Sequence, residues 1–112
     1  MAIYHTLTRT VKENPQTGSI ISDAIMDPET LGKGVKMFAQ VTLKPGCAVP
    51  IHQHVGNNET YYLIQGSGED EDKKFTVKAG DVTFCADGGT HGLLNTGKED
   101  LVFVALIANT IA

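Results

Sequence analysis

No run of lysine or arginine occurs anywhere in the 112 residues, and the net charge is −4. Without a basic patch to neutralise phosphates, nucleic acid is excluded as a partner. Long apolar runs are missing too. The longest, Leu101 to Ala108, is far too short to cross a bilayer, so no membrane partner is expected. The opening stretch MAIYHTLTRTVKENPQ lacks an apolar signal core, which points to a cytoplasmic protein. The sequon Asn58-Glu59-Thr60 is then accidental. Cysteine is scarce: Cys47 and Cys85 form no C-x-x-C pair and read as two reduced thiols, with Cys47 left without a role. There is no internal repeat and no linker, and the length leaves room for one core, so residues 1–112 read as a single domain.

What the chain does have is a period of two. IYHTLTRT, SIISDAIM, VKMFAQVTL, TYYLIQ, FTV, VTFC and LVFVALI are short segments rich in β-branched and aromatic residues, separated by Gly, Pro, Asn and Asp. Such a pattern means many short antiparallel strands, an all-β sandwich or barrel. MDPETLGKG breaks it: Asp27 suits an N-cap, Pro28 the first helical position and Gly32 a stop, so one helical turn is expected over 27–32.

Half of the four histidines lie one residue apart, in PGCAVPIHQHVGNNETYYLIQGSG. On a strand, positions i and i+2 share a face, so His52 and His54 project together, with Pro50 on the same side. Paired neutral imidazoles are good ligands for first-row divalent metals. VGNN reads as a turn. If the next strand pairs antiparallel with the first, Glu59 returns close to both rings. His91, after the glycine-rich ADGGT, could join from a third strand. Alone, a His-x-His pair on a strand is an ordinary exposed or core-satisfied pair, and the glycines around it are what change the reading.

Gly46, His52, His54, Glu59 and Gly66 give G-x5-H-x-H-x4-E-x6-G, and Gly80, Gly88, His91 and Asn95 give G-x7-G-x2-H-x3-N. In this order the two patterns, over 46–66 and 80–95, resemble the two motifs of the cupin family. The proline usual in the second motif is replaced by Ala86, which touches no expected ligand. The resemblance implies an antiparallel β-barrel or jelly roll that holds one divalent transition metal (manganese, iron, nickel, zinc, copper or cobalt) on His52, His54, Glu59 and His91. It also implies a homodimer, with IYHTLTRT as the strand offered for exchange.

Four protein ligands on an octahedral ion leave two positions open. These suit a small, anionic, bidentate oxygen ligand such as a keto acid, diketone, enediol or catechol. Dioxygenase, isomerase and decarboxylase chemistry are all compatible with such a site, and so is a non-catalytic ligand-binding or sensing module. Tyr61 shares the parity of Glu59 and faces the cavity or packs outward. Gln40 is a candidate for the same wall, or an ordinary strand residue. His5 is read as surface or dimer contact, Asn95 as ordering the turn NTGKED with Gly97, and Cys85 as a small packing residue. EDEDKK reads as a solvated hairpin tip. Gly46, Gly66, Gly80 and Gly88 are expected to permit turns where a side chain would clash.

Overall fold

A computed structural model describes residues 1–4 and 7–110. Among the described residues the expected alternation becomes ten strands: β1 (Thr8–Asn14), β2 (Gly18–Ala24), β3 (Val35–Leu43), β4 (Ala48–Gln53), β5 (Asn57–Gln65), β6 (Ser67–Glu69), β7 (Thr76–Lys78), β8 (Val82–Cys85), β9 (Thr90–Asn95) and β10 (Leu101–Asn109). One four-residue helix, α1 (Pro28–Leu31), lies between β2 and β3. The Asp27 carboxylate accepts from the Thr30 N–H at 2.8 Å and the Gly32 N–H donates to the Pro28 carbonyl, the cap and stop expected of MDPETLGKG. The first strand starts later than IYHTLTRT suggests, at Thr8, and His5 lies outside the described residues. No helix among the described residues is long and apolar enough to cross a membrane.

The strands form two antiparallel sheets, β1-β2-β3-β10-β5-β8 and β4-β9-β6-β7. Alternation sends one face of each inward, where Phe103, Leu43, Leu63 and Leu101 are fully buried with Val41, Val77 and Leu93 around them. Register sets the side chains in rows across the larger sheet. Asp23, Gln40, Val104, Tyr62 and Val82 form a row on the outer face. Ala24, Ala39, Ala105 and Tyr61 form the neighbouring inner row.

Two local readings change. Of the four motif glycines, Gly66 is the one that relieves a clash: a Cβ there would lie 2.7 Å from the Asp100 carbonyl oxygen. Gly46, Gly80 and Gly88 face open space, and their positive φ alone requires glycine. The EDEDKK tip is not simply solvated. Asp70 is buried and accepts from the N–H groups of Asp72 and Lys73, while the Lys73 ammonium reaches the Thr90 carbonyl at 2.9 Å and ties the tip to β9.

Candidate metal centre

β4 does not pair with β5, as the expected hairpin would require; it pairs with β9, which sets His52 directly opposite His91. Glu59 instead sits on the other sheet, between Ile107 of β10 and Cys85 of β8. It meets the histidines across the gap between the sheets. His54 lies in the turn after β4, clamped by its own N–H to the Gly89 carbonyl (3.0 Å) and its carbonyl to the Gly88 N–H (2.7 Å).

The fold brings one donor atom from each of His52, His54, Glu59 and His91 to within 4.8 Å of one another. The three Nε2 atoms are separated by 3.1, 3.0 and 3.1 Å. Glu59 Oε1 is 3.1 Å from His54, 3.0 Å from His91 and 3.9 Å from His52. Around an ion with bonds of about 2.1 Å, neighbouring octahedral donors stand roughly 3.0 Å apart and opposite ones roughly 4.2 Å. The donor spacings fit that pattern, short for every pair except His52 and Glu59 at 3.9 Å.

Hydrogen bonds on the far side of two rings point the same way. His52 Nδ1 lies 2.7 Å from the Pro50 carbonyl oxygen, and His54 Nδ1 lies 2.5 Å from Asn57 Oδ1. Both partners are acceptors, so each Nδ1 carries the hydrogen and each Nε2 turns a lone pair inward. Lone pairs this close repel unless a cation or proton lies between them, and the donor set therefore suits a metal. Asn57 is buried and is the supporting residue that the sequence reading missed; NN had signalled only a turn.

The electrostatics follow from burial and pairing. Burial pushes the Glu59 carboxyl up, but the imidazoles of His52, His91 and His54 around it outweigh burial and hold the group at about 2. The nearby Glu59 carboxylate raises the His52 imidazole, against partial burial. Burial keeps the Tyr61 hydroxyl protonated well above its ordinary range, reinforced by the Glu59 charge. The Tyr61 ring stacks on His91 at 5.1 Å between centroids, with 23° between the planes, and rests on Phe103.

A chamber of about 760 Å³ opens beside His52, Glu59 and Tyr61, between the inner face of the larger sheet and β4. Tyr61 therefore faces the cavity. Gln40 does not line it: it stands on the outer row with Asp23 and Val104, whereas its neighbours Ala39 and Val41 point in. A smaller cavity, about 260 Å³, lies behind His91 and reaches Cys85. Cys85 is buried against Gly89, and burial raises its thiol, which suits packing rather than reaction. Cys47 packs beside Gly18 at the edge of the core. Asn95 is buried; its amide donates to the carbonyls of Leu43 and Glu99, and its oxygen accepts from the Gly97 N–H, ordering that turn as expected.

Known proteins resemble this chain in sequence and shape. A family model described as a cupin domain matches residues 39–107. An oxalate-binding protein of Thermotoga maritima is 37% identical over 92 residues, which span 80% of this chain and 76% of that protein. The crystal structure of a predicted oxalate decarboxylase from Thermotoga maritima superposes with a TM-score of 0.83 at 34% identity, covering 94% of this chain and 93% of the other. A polyketide cyclase from Streptomyces resistomycificus, at 18% identity and a TM-score of 0.76, covers all of this chain and 87% of its own, and shares the fold alone.

Proposed function

Because the chain belongs to the cupin family, we propose that it holds one divalent transition-metal ion on His52, His54, Glu59 and His91 and binds a small chelating carboxylate there, with oxalate as the first candidate. The observation that carries this reading is the convergence of the four donors at near-octahedral spacings. A bound ion supplies Lewis acidity toward two oxygens of one ligand. The protein's part is orientation and charge. Pro50 and Asn57 hold the rings of His52 and His54 turned inward, and Tyr61 supports His91. Three neutral imidazoles and one carboxylate leave a loaded site with net positive charge, which favours an anion. The printed names of the two Thermotoga maritima relatives support oxalate.

Binding is favoured over turnover by what else faces the chamber. Lys12, Glu13 and Lys36 are exposed, and burial pushes the Tyr61 phenol well above its ordinary range, which makes it a poor proton donor although it stands beside the donors. The experiment is elemental analysis of untagged protein followed by calorimetric titration with oxalate. Near-stoichiometric metal, with oxalate bound by the loaded protein alone, is the expected result. Equal oxalate binding with and without metal would overturn it.

We also propose that the whole chain acts as one domain, in the cytoplasm, and pairs with a second copy of itself. The free thiols of Cys47 and Cys85 suit a reducing compartment. The edge strand β1 is exposed along all seven residues, and Tyr62, Ile64, Val82 and Phe84 leave the outer sheet face apolar. Light scattering that gives a monomer mass at micromolar concentration would contradict the dimer.

A further inference from the structure

The chamber is far larger than oxalate, two joined carboxylates, requires. Its volume of about 760 Å³ lies within the range of cavities that enclose a drug-sized ligand. Its floor is the inner face of the larger sheet, and the register there is informative. Glu59 continues a row through Ile107 to Met37. Tyr61 continues the next row through Ala105 and Ala39 to Ala24 on β2. From β5 to β2 is three inter-strand steps of about 4.8 Å, so this second row runs roughly 14 Å from Tyr61. Along it, no side chain beyond Tyr61 is larger than a methyl group; Ala105 and Ala39 are buried in the core, and the Ala24 end reaches the chamber.

The surface left open on this floor is apolar. Met37, Ile107 and Ala24 are partly exposed to the chamber, as are Ile20 of β2 and Val49 of β4. A ligand confined to the donor cluster would leave these side chains wet. A ligand with an apolar extension would cover them, and each methylene moved from water onto such a wall adds roughly fourfold to affinity.

Building on the proposed metal reading, we infer that the site takes 2-oxo carboxylates bearing an apolar tail, with the carboxylate and oxo oxygens at the donor cluster and the tail against Met37, Ile107, Ile20, Val49 and Ala24. The donors recognise the head, and these partly exposed aliphatic side chains select the tail. This distinguishes the chain's preferred ligand from oxalate, which offers the head alone.

The test uses the full chain loaded with manganese and titrated calorimetrically with oxalate, pyruvate and 2-oxooctanoate. 2-Oxooctanoate should bind at least about tenfold more tightly than pyruvate. Ala24→Phe, on a partly exposed residue at the far end of the row from Tyr61, should remove that advantage and leave metal, oxalate and pyruvate binding unchanged. If Ala24→Phe loses its fold by circular dichroism, Ser22→Leu on the same wall replaces it. A second readout needs no metal: octanoate added to the metal-free chain should shift the methyl resonances of Ala24, Met37 and Ile107. Equal affinities for pyruvate and 2-oxooctanoate overturn the inference while the metal reading stands. Failure of all three carboxylates to bind the loaded chain overturns the metal reading instead, and unmoved Ala24, Met37 and Ile107 methyls with octanoate would then overturn the tail site as well.

Discussion

Replacing Asn57 with alanine removes no metal donor, yet it should weaken metal binding. Asn57 Oδ1 is the acceptor that holds the hydrogen of His54 on Nδ1, and both residues are buried. Without it two responses are open. His54 can keep its tautomer and leave an N–H unpaired in the interior, at a cost of about 1–3 kcal/mol. Alternatively it can move the hydrogen to Nε2, which removes the lone pair now 3.0 Å from His91 Nε2 and 3.1 Å from Glu59. Either way the expected loss is about 10- to 100-fold in metal affinity, or about 1.4–2.8 kcal/mol. Competition against a chelator of known affinity measures it, with the thermal midpoint of the metal-free variant separating a binding effect from unfolding. Asn57→Asp, which retains an acceptor at the same place, should bind at native strength or better. Native affinity in Asn57→Ala would refute the claim that this hydrogen bond sets the tautomer. So would an equal loss in Asn57→Asp.

His91→Ala should lower metal occupancy sharply in elemental analysis while far-ultraviolet circular dichroism stays native, because His91 lies in the cluster and not in the apolar core; full retention of metal would sink the four-donor arrangement. Without metal, stability should peak between about pH 4.5 and 6.5. Glu59, held at about 2 against an ordinary 4.5, contributes stability that is present above 4.5 and lost as the pH falls toward 2, roughly 3 kcal/mol in all. The raised imidazole of His52 contributes below 6.5, and that contribution is lost as the pH rises through its higher folded value. Urea midpoints that stay flat from pH 4.5 to 2 would contradict the pairing of Glu59. Metal affinity should move the other way and rise with pH, since protons compete for the same imidazoles. Asn95→Ala, which removes three buried or part-buried hydrogen bonds, should cost about 2–4 kcal/mol in urea unfolding without changing metal affinity; a loss below 1 kcal/mol would mean water replaces them.

Local rules carried a long way here. Period-two alternation marked most of the strands, Asp27, Pro28 and Gly32 marked the helical turn, and the resemblance to the two cupin motifs singled out His52, His54, Glu59 and His91. Sequence leaves Tyr61 facing the cavity or outward, and Gln40 on the same wall or an ordinary strand residue, because parity says only that neighbours point to opposite faces and not which face is inside. Gln40 lies on the outer row because Ala39 and Val41 are the residues of β3 that meet the core. Asp70 looked like part of a solvated acidic run, yet the contact that ties its loop down comes from Thr90 on β9.

The amino-acid order by itself determined what each short segment does: which residues alternate, where the chain must turn, and where the candidate donors lie along it. These depend on backbone sterics and on side chains a few positions apart. Tertiary structure alone decided which strands became neighbours. β4 took β9 as its partner, more than 40 residues away at Ala48 and Leu94, so Glu59 reached the histidines from the opposite sheet. It also decided that Asn57 stands behind His54, and that Met37, Ile107 and Ala24 line the open chamber beyond Tyr61. Strand pairing is chosen by the burial of the whole core, a sum over distant residues that no local window contains.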